Sequence, residues 1–428
     1  MTPDTSETGN DQRTSTVAAE LDLGLKVVLP EYGGRSLLNV PASVCRWFGV
    51  SPMTHPPLQL ETLDELAEGQ LQIIVVLIDA LSLERFRSWM EEPSLGLKSF
   101  WQDGSLFQIT SVVPSTTSTA LTTLWTGRSP AEHGILGYEL FLKEYGLIAN
   151  MITHSPASFE GRSGMLHYAG FEPEAELPVP TLGPHLANAG VETFSFLSRA
   201  IHNSGLSRMH YANVDSYGFR TVTDLWILVR RIAELRFKSP RFLWIYYGAI
   251  DALSHQYGPD AEQVKTEFAT FIRTMLDSFV MQLDPDARRN TLLILLSDHG
   301  QVFTPREAKY ELNQHPNLTG LLHMAPTGES RFSYLYPKSG SEDSVKEYFN
   351  RTWNEDFRII HSSKALESGL FGPGEPAKVT ADRIGELIAI SQGSAFLWGS
   401  PYPNPLLGRH GGLSPDEMVI PLFAFPMG

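Results

Sequence analysis

The chain is almost without cysteine: Cys45 stands alone among 428 residues. One thiol closes no internal disulfide and builds no cysteine-rich metal site, and a reducing compartment fits that usage. Long apolar runs are missing as well. The longest, around 73–78, falls far short of the about 20 residues that cross a bilayer. The first twenty residues, MTPDTSETGNDQRTSTVAAE, contain no apolar stretch of the kind a secretory signal needs. The expectation is a cytoplasmic protein with no membrane partner. Positive charge is scarce too, with 33 Lys and Arg against 48 Asp and Glu and a formal net charge of −15. No basic face is available to neutralise a nucleic-acid duplex. A small anionic substrate stays compatible with that charge if bound cations dominate the local field.

Hydrophobic residues make up 42% of the chain, enough for a large core. Residues 1–22 read as a disordered tail. The run 71–78 is continuously apolar and rich in β-branched residues, the pattern of a strand buried on both faces, as in a parallel sheet. It ends at Asp79, and a helical pattern starts at Leu83. Similar strand signals recur at 191–197, 242–247 and 291–296, with helical periodicity at 182–189 and 261–283. Alternation of this kind predicts a doubly wound, mostly parallel α/β sheet flanked by helices. Ligands then gather beyond the carboxyl ends of the strands. Gly, Pro and Ser become frequent over 304–403, where 331–336 and 357–360 read as strands and 344–353 as a helix. This stretch reads as a smaller α+β cap inserted into a catalytic core of 23–303, with 404–428 returning to the main sheet.

Several polar groups sit where these strands end. Asp251 and His255 are four residues apart and share one face of a helix, so an Asp oxygen and a His nitrogen can meet on one cation. A solvated helix start is the plainer reading of that pair alone. Asp298-His299-Gly300 comes directly after an apolar strand. Asp298 could instead cap the next segment of chain, and His299 could be a hydrogen-bonded core histidine. Asp79 could cap the helix from Leu83. The segment Pro114-Ser-Thr-Thr-Ser-Thr119 precedes a helical stretch, where hydroxyls either satisfy free N–H groups or supply a nucleophile beside a cation. The residue types alone do not choose among these hydroxyls. His410-Gly411-Gly412 lies just before the final strand and can complete a set with Asp251 and His255.

Together these segments resemble the alkaline phosphatase superfamily, and most closely its type I phosphodiesterase/nucleotide pyrophosphatase branch. Thr117 stands nine residues before Thr126-Gly127, and the run continues to His133-Gly134-Ile135, similar to the family's Y-P-E-S-H-G-I. Asp251, His255, Gly258 and Pro259 match D-x-x-x-H-x-x-G-P, and Asp298, His299 and Gly300 match D-H-G. The resemblance implies two divalent metal ions, zinc or alternatively manganese. Asp251, His255 and His410 would hold one; Asp79, Asp298, His299 and the Thr117 oxygen would hold the other. It implies a phosphodiesterase or nucleotide pyrophosphatase acting on a small phosphate ester or nucleotide. Thr117 would attack phosphorus and form a phosphothreonine that water then hydrolyses, with net retention at phosphorus.

One position departs from the pattern. Family diesterases often carry an Asn three residues after the nucleophile, and here that residue is Ala120. Ser118, Thr119, a backbone N–H or Arg331 from the cap would have to substitute. A phosphomonoesterase or phosphomutase of the same superfamily therefore stays in view. So does a non-catalytic PglZ-like interaction protein, which the segment from His410 to Val419 also resembles. No C/S-x-P-x-R segment of the sulfatase kind occurs around 115–120. Oligomeric state is left open.

Overall fold

A computed structural model describes residues 17–428 apart from 25, 158–161, 237, 401 and 403. The central sheet has seven strands. In spatial order they are Ser105–Thr110, Val419–Pro426, Thr291–Leu296, Gln72–Ile78, Arg241–Tyr247, Glu192–Ser198 and Asp215–Phe219. The Val419–Pro426 strand is antiparallel to both of its neighbours, and the other pairings are parallel. This is the doubly wound, mostly parallel α/β sheet that the strand pattern predicts.

Its two faces are covered by separate apolar clusters. Ile73, Val75 and Leu77 point into one, Ile74, Val76 and Ile78 into the other. A strand buried on both sides gains nothing from polar alternation, which is why 71–78 reads as an unbroken apolar run. Register decides what happens at the edge. Ile78 pairs with Tyr247 and Leu77 with Leu296, so three strands end level. Asp79, the helix Ala249–Tyr257 and Ser297-Asp298-His299 all emerge there. The final strand runs the other way and starts at that same edge, with Val419 opposite Thr110. The segments 111–117 and 410–418 are delivered to it as well.

A second seven-stranded sheet differs from the expected cap. It is not drawn from 304–403 alone: Glu139–Leu142, Leu147–Asn150 and Ser155–Pro156 join Thr327–Glu329, Phe332–Leu335, Phe357–His361 and Leu387–Ser391. The early hairpin lies too close in sequence to the core helix Thr117–Thr126 to announce its transfer. Nor is the sheet a detached flap. Phe332, Tyr334, Ile388 and Ile390 pack into the main core, while Leu335, Leu387 and Ala389 face the helix Glu342–Trp353 on the other side. The expected tail is shorter than 1–22 on its inner side: residues 17–20 make a helical turn, and Leu21 and Leu23 are buried. The rest of that expectation, 1–16, lies outside the described residues. No helix among the described residues is long and apolar enough to cross a membrane.

One buried ion pair ties the second sheet to the main edge. Arg331 Nε lies 2.7 Å from Glu417 Oε1 and Nη2 lies 3.0 Å from Oε2, a bidentate pair with no exposure on either side chain. Glu417 also accepts the Gly412 N–H at 2.8 Å and the Ser414 hydroxyl at 2.7 Å. The pair thus fixes the loop that carries His410. Removing one partner strands a charge in the interior. Arg331→Ala should lose about 3–5 kcal/mol of folding stability, read by urea denaturation. A loss under about 1 kcal/mol would show that the pair contributes little.

Candidate active site

The edge gathers six of the seven residues singled out from the sequence into two clusters, with Thr117 beside one of them. Asp79, Asp298 and His299 form one, and all are buried; Asp251, His255 and His410 form the other, where the first two are half-buried. Within each cluster the donor atoms lie within 4.8 Å of one another. His299 Nε2 is 3.5 Å from Asp79 Oδ1 and 3.6 Å from Asp298 Oδ2. In the second cluster Asp251 Oδ1 is 3.2 Å from His255 Nε2 and 3.8 Å from His410 Nε2. Tetrahedral donors around one ion, bonded at about 2.0–2.2 Å, stand about 3.3–3.6 Å apart. The clusters adjoin, with the His299 and His410 rings stacked at 4.0 Å.

The imidazoles are oriented for ligation by their other nitrogens. His255 Nδ1 faces Gly408 O at 2.8 Å, His299 Nδ1 faces Gly300 O at 3.1 Å, and His410 Nδ1 faces Ser115 O at 3.2 Å. A carbonyl only accepts, so each Nδ1 carries a proton and Nε2 is the nitrogen turned toward its cluster. The carboxylates are held in the same way. Asp298 Oδ1 accepts from Ala80 N at 3.2 Å and from His299 N at 3.0 Å. Ala80 takes φ +63°, a costly conformation for a residue with a Cβ, and it is what aims that N–H. Gly300 is required by close approach: a Cβ there would lie 2.0 Å from Asp416 O. The helix after Asp79 is capped by Ser82, not by Asp79, so the capping reading falls away.

Electrostatics single out the first cluster. Asp79 Oδ1 and Asp298 Oδ2 are buried with no hydrogen-bond partner among the described residues. Burial pushes Asp79 well above the usual carboxylate range, and Asp298 and Asp251 add to it against the Tyr246 hydrogen bond. Burial likewise raises Asp298. Two acids that resist ionisation because they lack a counter-charge are a donor set suited to a divalent cation. In the second cluster, desolvation is outweighed by mutual attraction: His255 lowers Asp251, and Asp251 lifts His255 to about 9.

Exposure separates the hydroxyls that the residue types leave equivalent. In the segment 114–119, Thr117 is the one residue not fully buried. Its Oγ1 lies 3.4 Å from Asp79 Oδ2 and 3.2 Å from His299 Nε2. Ser115 donates to Gly412 O and Ser118 to Gly137 O, both at 2.8 Å. Thr117 also begins a helix, Thr117–Thr126, whose first N–H groups have no intrahelical acceptor and face anions favourably. Beside it is a narrow cavity of about 50 Å³ walled by Leu121, Ile152, Leu197, Leu206, Tyr211 and Tyr246.

Residues 73–413 match the family described as type I phosphodiesterase / nucleotide pyrophosphatase. The chain belongs to that family. It is accordingly a hydrolase acting on phosphoric ester bonds. No curated protein matches it in sequence. Among solved structures it is similar to murine ectonucleotide pyrophosphatase/phosphodiesterase 5, with 15% identity, a TM-score of 0.61, and coverage of 82% of this chain and 87% of that one. An inactive threonine-to-alanine variant of the same murine protein, in complex with AMP, aligns over 83% of this chain and 88% of its own at 15% identity and a TM-score of 0.61. Phosphonoacetate hydrolase from Sinorhizobium meliloti, bound to phosphonoformate, is 16% identical over 83% of this chain and 90% of that one, with a TM-score of 0.59.

Against the family pattern, the substitutes available for Asn at Ala120 are mostly spent. Ala120 is buried, Arg331 is bound to Glu417, and Ser118 points to Gly137. Backbone N–H groups of the first helical turn remain, with the buried Thr119 hydroxyl, which has no hydrogen-bond partner among the described residues. Three neighbours of the site carry no signal strong enough to single them out from sequence. Tyr246 donates to Asp79 Oδ2, and Gln301 donates to Asp251 Oδ1. Glu329 accepts from Tyr138 N at 2.9 Å and from the Thr116 side chain. Gln301 adjoins the D-H-G run directly and could have been flagged. Tyr246 sits inside an apolar strand signal, and Glu329 lies in the second sheet, so neither has a local mark.

The two clusters predict metal-linked stability. Zinc restored to chelated protein at 100 times its dissociation constant should add about 2.7 kcal/mol per site, read as a shift of the denaturation midpoint. An unchanged midpoint would count against both clusters as metal sites. His255 must also shed its proton to ligate. Apparent metal affinity should then rise with pH until about 9, with proton release visible by calorimetry in buffers of differing ionisation enthalpy.

Proposed function

We propose that the protein is a two-metal phosphodiesterase or nucleotide pyrophosphatase that works through a phosphothreonine at Thr117. The observation that carries this is the Thr117 hydroxyl, the accessible one of its segment, placed against Asp79 and His299. Asp79, Asp298 and His299 would hold one ion and Asp251, His255 and His410 the other, zinc being favoured by the three imidazoles and manganese also accepted. Bound there, divalent cations would supply Lewis-acid stabilisation of phosphoryl charge and ease deprotonation of the Thr117 hydroxyl.

The chain's own groups account for the rest. Thr117 Oγ1 attacks phosphorus, its O–P bond forms as the ester O–P bond breaks, and the alcohol leaves with a proton. Free N–H groups at the start of the Thr117 helix hold the equatorial oxygens, the part that Ala120 cannot play. Water then attacks the phosphothreonine, releasing phosphate monoester and restoring the hydroxyl. Two in-line displacements give net retention. The apolar cavity at Thr117 takes part of the organic group, consistent with a small ester or nucleotide substrate; the AMP complex of the similar murine structure supports that class.

Thr117→Ala should cut turnover of bis-p-nitrophenyl phosphate by at least about 10³-fold with an unchanged circular dichroism spectrum and metal content. Wild-type protein quenched in acid during turnover should carry phosphate on Thr117 by peptide mass spectrometry. Retained activity in the variant would move the nucleophile to another hydroxyl.

A further inference from the structure

The cavity beside Thr117 offers a substrate little to bond with. Four polar side chains reach it, Ser204, Ser207, His210 and Tyr246, and each has given its proton to the protein. Ser204 Oγ donates to Ser207 Oγ at 3.0 Å, and Ser207 Oγ donates to Ile201 O at 2.8 Å. His210 Nε2 lies 3.0 Å from Thr122 Oγ1, whose own proton goes to Ser118 O, so the imidazole is the donor. Tyr246 donates to Asp79. Leu121, Ile152, Leu197 and Leu206 supply carbon walls. The space between them is about 50 Å³. Pockets for drug-sized ligands run to about 300–1,000 Å³, and a cavity of about 150 Å³ takes benzene. What fits here is a group of a few carbon atoms.

We propose that this cavity binds the ester arm that stays on phosphorus, and that this arm is a short alkyl group and not a nucleoside. The inference rests on the phosphoesterase reading of this site and chooses between its two substrate classes. Thr117 is itself one wall, and Leu121 lies one turn further along the same helix. None of Asp251, His255 and His410 lines the cavity. In an in-line displacement the leaving oxygen departs from the face opposite the nucleophile. A group held on the Thr117 side is therefore the retained one. A base or ribose enclosed there would give up its hydrogen bonds to water and meet four donors already committed. Alkyl carbons give up none and gain by leaving water. Attack by Thr117 then keeps the alkyl oxygen on phosphorus and releases the other alcohol with a proton. Water cleaves the phosphothreonine, restores the hydroxyl and frees an alkyl phosphate.

The test uses p-nitrophenyl phosphodiesters that share a leaving group and differ in the other arm: methyl, n-propyl, or thymidine joined through its primary hydroxyl. Metal-loaded wild type should cleave the propyl ester with kcat/KM at least about tenfold above the methyl ester and about tenfold above the thymidine ester. Ile152 is half-buried, so its substitution spares the core. Ile152→Ala opens the wall and should narrow the propyl-to-thymidine ratio about tenfold; Ile152→Phe fills the cavity and should erase the lead of propyl over methyl. A thymidine ester cleaved as well as the propyl ester by wild type overturns the proposal, and so do ratios that stay fixed in both variants. Products give a readout free of turnover. Wild type should bind n-propyl phosphate about tenfold more tightly than thymidylate by calorimetry, and equal or reversed affinity overturns the proposal. Cleavage of all three esters without preference would remove this inference and leave the phosphoesterase reading intact. The binding preference with no cleavage of any ester would sink the catalytic reading and leave the role of the cavity standing.

Discussion

Two carboxylates buried side by side cannot both stay ionised without a cation between them. Asp79 and Asp298 are in that position, each with one oxygen that finds no hydrogen-bond donor among the described residues. The surroundings do not relieve the conflict; they hold it in place. Tyr246 fixes one oxygen of Asp79, and Ala80, in a left-handed conformation, fixes one oxygen of Asp298. The result is a pair of aimed lone pairs with His299 Nε2 across from them. Such an arrangement stores unfavourable energy in the metal-free chain and returns it on metal binding.

The cost is tolerable because the edge is built from rigid parts. Level strand ends put Asp79 and Asp298 at one height, and that registry is set by side-chain packing on both faces of the sheet, not by the site itself. The loop carrying His410 lies outside that registry. It is secured from outside, by Glu417 and its buried partner Arg331 in the second sheet. The second sheet is thus tied mechanically to the edge that carries the two clusters, since it anchors the loop of one histidine.

The central strands and the six clustered residues were legible in the sequence for different reasons. Strands buried on both faces leave unbroken apolar runs, so 71–78 and 291–296 announce themselves. The polar residues that end them stand out because nothing in a core strand needs an Asp or His there. The second sheet was only half legible. Its Glu139–Leu142 strand pairs with Thr327–Glu329 across nearly two hundred residues and brings the hairpin strand Leu147–Asn150 with it, and no local periodicity records such a partnership. Tyr246, Glu329 and the Arg331–Glu417 pair were missed for a related reason. Each acts through a contact made by tertiary placement, and each sits in a segment whose local pattern is satisfied without it. Arg331 was one of four groups open to replace the Asn at Ala120, because a lone arginine in a cap is as plausible beside phosphate as inside the ion pair it makes with Glu417.

The same logic explains why the hydroxyl segment resisted a choice from sequence. All five hydroxyl residues over 115–119 can satisfy a helix start, and propensity does not separate them. Burial does. Ser115 and Ser118 turn to carbonyls on flanking loops, Thr116 turns to Glu329, and Thr119 is buried. Thr117 is left facing Asp79 and His299. The selectivity of the segment is therefore a property of its neighbours: Gly412, Gly137 and Glu329 each occupy a competing hydroxyl. The one accessible hydroxyl of the segment thus lies at a seam to which the second sheet and the His410 loop both contribute.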